Sequence, residues 1–216
     1  MNLIILGAGA IGCYVGGRLA AAGQQVTLVG RPRVIEPLAC GGLSVSDLEG
    51  FKAHVAPDQL RLAPSLAAAL AAKPLSLNQS SIILLCVKGG ATTAAAQEIA
   101  ACCPNGTPVV SLQNGVENPA RIGRAAPQLL ALAGMVPHNV VMPKTPGEAN
   151  AATCVHRATT GSLYAARHPV TEALAPQAGG WRLNRLMTAL RCILPPSVGA
   201  KALRSEIQTS HFAIQH

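Results

Sequence analysis

Aromatic side chains make up only 2% of the 216 residues, and charged ones only 12%. Half of the chain is hydrophobic, which excludes a disordered polypeptide and leaves Ala, Val, Leu and Ile to build the core. With so few rings to stack on bases, and basic residues scattered rather than clustered, nucleic acid is not an expected partner. No C-x-x-C pair occurs among the seven cysteines, an odd number in which Cys102 and Cys103 are adjacent. That spacing suits no zinc site, so no metal is expected and the cysteines read as reduced thiols of a cytoplasmic protein. No stretch is long and apolar enough to span a membrane. The apolar start MNLIILGAGAIGCYVGG lacks a basic leading region, is broken by glycines and runs directly into a second strand, so it reads as structure rather than as a leader.

What the chain does have is positive charge: 17 Lys and Arg against 9 Asp and Glu, a net +8. Such a balance favours an anionic partner, here a phosphorylated cofactor or an acidic small molecule. The length allows one large domain or one and a half. NLIIL (2–6) is a continuous apolar run of the kind found in a strand buried on both faces, AIGCYVGGRLAAAG (10–23) reads as a helix, and QVTLVG (25–30) as a second strand. Residues 31–60 read as less regular, with short apolar stretches such as GLSV and FKAHVA. Further helices are expected at 63–73 and 91–103 and a strand at 81–90. A strand, turn and helix are expected at 107–126, with one more strand and its extension over 128–141. Residues 153–166 have hairpin character, and 182–194 and the stretch from Ala202 are helical by period. The order predicts an α/β fold, a doubly wound Rossmann-type domain on a mostly parallel sheet.

Gly7-Ala8-Gly9-Ala10-Ile11-Gly12 is a G-x-G-x-x-G segment that follows a strand and opens a helix inside a βαβ unit. Gly7 permits the tight turn, Gly9 lets the backbone approach a pyrophosphate, and Gly12 lets helix and strand pack closely. The N–H groups of Gly9, Ala10, Ile11 and Gly12 would meet the phosphates at the helix start; a glycine turn without a ligand is the plain alternative. An acidic residue ending the second strand would bind the ribose 2′-hydroxyl and select NAD. Here Gly30 and Arg31 stand there, with Arg33 two residues on. A guanidinium accommodates a 2′-phosphate, which points to NADP, the alternative being a solvated surface arginine. Lys88 and Asn114 each follow a strand at the ligand-binding edge of such a sheet, as site residues or as turn residues.

Together ILGAGAIGCYVGGRLAAAG, VTLVGR, ILLCVKGGAT, SLQNGVEN and GMVPHNVV closely resemble the ketopantoate reductase (2-dehydropantoate 2-reductase) family, from residue 1 to about residue 166. The resemblance implies NADPH-dependent reduction of the small keto acid 2-ketopantoate to pantoate, in pantothenate biosynthesis. It places Arg31 on the adenosine 2′-phosphate, and Lys88 and Asn114 along the cofactor near the substrate.

The resemblance also implies a second, all-helical domain that opens with W-x-K-L-x-x-N. Its lysine is the general acid, and its asparagines and a later glutamate hold the substrate. The corresponding stretch would be ALRSEIQTSHFAIQH, which has neither Trp-x-Lys nor asparagine; Trp181 comes too early and Lys201 precedes the position. No catalytic residue is therefore assigned, at Lys201, at Ser210 or elsewhere. The expected domains are 1–200 for NADP binding and 201–216 as the truncated start of the helical domain. An acid that protonates the developing alkoxide contributes about 10² to 10⁴ in rate, so slow turnover is expected, and association into a homo-oligomer would cover exposed apolar surface. His138 is a substitute donor in principle, with a structural or surface role expected. Two other functions fit: an inactive NADP-binding module, or a reductase of another 2-keto or 3-hydroxy acid within the six-phosphogluconate-dehydrogenase-like group.

Overall fold

The structure, a computed structural model, describes residues 2–72, 81–143, 153–174 and 181–184. The first half runs β1 (Asn2–Leu6), α1 (Ala10–Ala21), β2 (Gln25–Val29), α2 (Pro32–Gly41), β3 (Leu43–Asp47), β4 (Lys52–Val55), β5 (Arg61–Ala63), α3 (Leu66–Ala72) and β6 (Ser81–Leu85). There follow α4 (Thr92–Cys102), β7 (Pro108–Ser111), α5 (Asn118–Ala125), β8 (Leu130–Met135), β9 (Val140–Val141), β10 (Thr153–Arg157), β11 (Leu163–Ala166), α6 (Pro169–Leu174) and β12 (Trp181–Asn184).

β1 and β6 are buried at every position because both faces of their sheet are covered. Side chains alternate along a strand, so Leu3 and Ile5 join the core that includes Cys13, Tyr14 and Val15 of α1. Ile4 and Leu6 join the opposite core, with Ala69 of α3, Ala96 and Ile99 of α4 and Ile122 of α5. The main sheet has the order β12-β11-β8-β7-β6-β1-β2-β5. Its neighbours run parallel except β8 and β11. From β1 the chain builds outward through β2 to β5, then returns and builds the other way through β6, β7 and β8. The reversal leaves a crevice at the carboxyl ends of β1 and β6, where such sheets bind ligands. This is the expected doubly wound α/β fold.

A second sheet, β4-β3-β10-β9, lies across α1. Helix α1 is thus packed between two sheets, and glycines make the approach close enough. A Cβ on Gly16 would come within 2.7 Å of Leu28 on the main sheet, and one on Gly17 would collide with Val45 and lie 2.9 Å from Leu43 on the small one.

Several expectations needed correction. Residues 31–60 are ordered elements: Pro32 starts α2, Pro37 lies inside it, and β3 and β4 form a hairpin. Two prolines in ten residues hide a helix whose stability comes from packing rather than propensity. Residues 153–166 are no hairpin, since β10 pairs with β3 and β9 while β11 pairs with β8 and β12. Residues 182–184 belong to strand β12, not to a helix. The helix expected at 63–73 begins only at Leu66, after β5, with the Ser65 hydroxyl accepting from Ala68 N–H at 3.1 Å. The boundary at residue 200, the stretch 201–216, Lys201 and Ser210 lie outside the described residues.

A polar centre joins α1 to the small sheet. The Asp47 carboxylate, with a side chain only 1% exposed, lies 2.7 Å from Arg18 and 3.4 Å from Arg157. Its other oxygen accepts from the N–H groups of Glu49 and Phe51. The Arg18 guanidinium also lies 3.9 Å from the centre of the Phe51 ring. Burial raises the Asp47 pKa, but the two backbone N–H groups and the guanidiniums of Arg157 and Arg18 outweigh it, and the net direction is down.

His138 is buried beside this centre, its ring edge-on to Tyr14 of α1 at 5.5 Å. Nδ1 lies 3.2 Å from the Gly161 carbonyl, which can only accept, so Nδ1 carries the proton. Nε2 is buried without a hydrogen-bond partner among the described residues. Burial lowers the His138 pKa; the Gly161 carbonyl pulls it up, and Arg157 and Arg18 push it down further. A folded-state pKa below the unfolded value means that the unfolded chain binds the proton first. Stability from neutral His138 is therefore complete above the ordinary histidine pKa and declines as pH falls from there toward the folded value. The urea midpoint should drop between pH 7.5 and 5.5, and His138→Asn, whose amide can still donate to Gly161, should flatten that drop. Equal slopes in parent and variant would show that another group governs it.

Candidate cofactor site

The site is built from the carboxyl end of β1 outward. The chain leaves Leu6 through Gly7 at φ +111°, a conformation that side-chain-bearing residues rarely adopt. The N–H groups of Gly7 and Ala8 both donate to Val29 O, at 3.0 and 2.9 Å, which ties the turn to the end of β2. A Cβ on Gly7 would stand 2.8 Å from backbone atoms of Cys86 and Val87, so the turns after β1 and β6 are in contact across the crevice.

Gly9 is the N-cap of α1, and its carbonyl accepts the first helical bond, from Cys13 N–H at 2.8 Å. The N–H groups of Ala10, Ile11 and Gly12 lie in the first turn, where no intrahelical acceptor exists. Gly9 itself departs from expectation. Its N–H turns back to Gly7 O at 2.9 Å, so three of the four expected donors remain open. The glycines divide their roles as expected in one respect. A Cβ on Gly12 would strike Gly7 O and come within 3.1 Å of Ile5, whereas a Cβ on Gly9 meets nothing within 4 Å. Gly12 is a packing glycine, and Gly9 faces open space at the mouth of the crevice. That cradle, lined by open N–H donors at a positive helix end, fits an anionic pyrophosphate.

Arg31, the second residue past the end of β2, is the exposed N-cap of α2, and Arg33 is also exposed. Gly30 between strand and helix packs on the glycine turn, since a Cβ there would lie 2.6 Å from Ala8. Lys88 follows β6 and opens a short 3-10 turn, and Asn114 follows β7. Both are exposed, and no described residue engages either side chain. The order β5-β2-β1-β6-β7 therefore sets Arg31 on one side of the glycine turn and Lys88 and Asn114 on the other.

Four buried polar residues behind Lys88 and Asn114 lie inside the segments ILLCVKGGAT and SLQNGVEN but were not singled out there as site residues. Gln113 Nε2 donates to Val87 O at 2.9 Å and to Thr92 Oγ1 at 2.8 Å, while Ser111 Oγ donates to Gln113 Oε1 at 3.1 Å. Thr92 Oγ1 lies 2.8 Å from Gly89 O and 3.2 Å from Asn118 Oδ1, with one proton to donate. Asn118 Nδ2 donates to the carbonyls of Asn114 and Gly115, at 2.8 and 3.1 Å. Thr92 and Asn118 are 26 positions apart and meet because β6 and β7 are neighbours, which no local pattern signals.

His138 sits under α1 rather than at this edge, so it supplies no acid here. Burial pushes the Cys13 thiol up to about 12, which leaves no thiolate beside the turn. Among the described residues no group of three His, Cys, Asp or Glu could hold a metal, and no helix is long and apolar enough to cross a membrane.

Residues 3–166 match the family described as Ketopantoate reductase PanE/ApbA. A 2-dehydropantoate 2-reductase of Pyrococcus horikoshii is 35% identical over 122 residues, which cover 56% of this chain and 36% of that protein. One from Mesorhizobium japonicum is 32% identical over 117 residues, covering 54% and 32%. The crystal structure of a PanE/ApbA family ketopantoate reductase from Ralstonia eutropha JMP134 superposes with a TM-score of 0.69 at 27% identity, over 88% of this chain and 59% of that one. The chain thus spans about a third of the length of the curated relatives it matches. With the glycine turn, the switch-point crevice and the Lys88 and Asn114 turns all inside the matched residues, the chain belongs to the ketopantoate reductase family.

Proposed function

We propose that this chain binds NADPH and serves the reduction of 2-ketopantoate. The observation that carries it is the open cradle at Gly9 beside Arg31, which caps α2 just past the end of β2. The N–H groups of Ala10, Ile11 and Gly12 would hold the pyrophosphate, and Arg31, with Arg33 near it, the 2′-phosphate. Lys88 and Asn114 would offer an ammonium and an amide at the nicotinamide end, toward the carboxylate and carbonyl of a 2-keto acid. When bound, the dihydronicotinamide supplies a hydride to the ketone carbon. Family membership supports the keto acid, since the relatives named above are 2-dehydropantoate 2-reductases.

Calorimetric titration checks the cofactor. NADPH should bind more tightly than NADH, and Arg31→Ala should erode the difference roughly tenfold or more, as one charge-assisted phosphate contact of about 1.5–3 kcal/mol implies. Arg31 is exposed and its side chain supports nothing else, so stability should not change. Equal affinities in the parent chain would refute the 2′-phosphate assignment. NADPH oxidation with 2-ketopantoate, beside a panel of other 2-keto acids, checks the substrate. Binding of NADPH with no keto-acid-dependent oxidation would leave a cofactor-binding module.

A further inference from the structure

We propose that Thr92, Gln113 and Asn118 are positioning residues that hold the Lys88 and Asn114 turns in one fixed relation for the nicotinamide end of the cofactor, which rests on the reading above that these two side chains meet the cofactor. The network ends where such a function requires. Gln113 takes the carbonyl before Lys88 and Thr92 the carbonyl after it, and Asn118 takes the carbonyls of Asn114 and Gly115. Both turns need outside restraint. Lys88 is followed by Gly89 and Gly90, and Asn114 by Gly115 at φ +108°. Glycine backbones explore more conformations than any other, so a reactive side chain next to them is poorly aimed unless the chain is clamped.

The cost of the arrangement argues against mere filling of space. Thr92, Ser111, Gln113 and Asn118 are 1%, 1%, 6% and 3% exposed. Buried polar groups are costly unless paired, and apolar side chains would fill the volume with no such requirement. A fully paired network instead fixes orientation, which apolar packing does less sharply. Here every buried side-chain polar atom of the four lies within hydrogen-bond distance of a partner, the single Thr92 proton being shared between Gly89 O and Asn118 Oδ1. Because Thr92 opens α4 and Asn118 opens α5, the same bonds also tie the two turns to the helices behind them.

The test is calorimetric titration of the full chain with NADPH and with 2′-phospho-ADP-ribose, which lacks the nicotinamide. Thr92→Val, equal in size but without the hydroxyl, should weaken NADPH roughly tenfold and leave the nicotinamide-free ligand unchanged, while Thr92→Ser should bind both like the parent. In a Lys88→Ala background Thr92→Val should cost NADPH much less, because a residue acting through Lys88 has little left to position. Gln113→Glu, which cannot donate to Val87 O, should repeat the pattern and serves if Thr92→Val does not fold. Equal weakening of both ligands, no weakening, or an undiminished effect in the Lys88→Ala background would overturn the proposal while the cofactor reading stands. Lys88→Ala binding NADPH like the parent would instead remove the reading of Lys88, and the proposal with it.

Discussion

Gly9→Val is expected to abolish NADPH binding while leaving the cofactor-free protein nearly as stable as the parent. The two halves of that result have separate causes. Gly9 has φ −86° and ψ −170°, an extended conformation that valine adopts readily. A Cβ there meets nothing within 4 Å, so no atom must move. The remaining cost is that valine is a poorer N-cap than glycine, about 1 kcal/mol or less. For the ligand, the branched side chain fills the space the pyrophosphate would occupy and denies it the N–H groups of Ala10, Ile11 and Gly12. Losing two charge-assisted bonds of about 1.5–3 kcal/mol each predicts at least a hundredfold loss of affinity. Gly12→Val, in the same motif, should behave in the opposite way. Its Cβ would strike Gly7 O and crowd Ile5, so the fold should lose about 3 kcal/mol, the upper range of overpacking. Urea midpoints and calorimetric titrations of both variants separate the roles. A folded Gly9→Val chain that binds NADPH normally would make the turn purely structural.

Asp47→Ala should cause the largest loss of stability of any single side chain outside the apolar core, about 3–5 kcal/mol, because removing one partner leaves buried charge uncompensated. The carboxylate faces two guanidiniums, and the Arg157 side chain is only 7% exposed. Glu49 would still lie 2.8 Å from Arg157, but it is largely solvated and cannot replace a buried partner. Asp47→Asn separates charge from geometry. Its oxygen can still accept from Glu49 and Phe51 N–H and keep the β3–β4 turn, so it should lose less than alanine does. In the parent, the lowered Asp47 pKa means that this stability is fully present above the ordinary carboxylate value and is lost as pH falls through the folded one. Chemical denaturation at neutral pH checks the order. Asparagine as damaging as alanine would show that charge alone matters, and alanine within about 1 kcal/mol of the parent, the range of a surface pair, would dismiss the buried cluster.

The glycine turn, α1 and the first two strands were legible in the sequence because their determinants are local. NLIIL needs two covered faces whatever covers them, and G-x-G-x-x-G needs only a strand before it and a helix after it. The positions of Arg31, Lys88 and Asn114 were legible for the same reason, since each follows a recognisable strand. Tertiary structure decided what depends on strands meeting at long range. Ser46 and His156 are hydrogen-bonded 110 positions apart because β3 pairs with β10, and that pairing places a second sheet over α1 and Asp47 between Arg18 and Arg157. It also draws 153–157 away from 163–166, which adjacency in sequence would have joined as a hairpin. Gln113, Thr92 and Asn118 lie in segments that carry the resemblance, but nothing local in those segments shows that the three side chains meet. Their meaning comes from β6 lying beside β7, and hydrogen bonds between side chains on separate elements exist only once the backbone has brought those elements together.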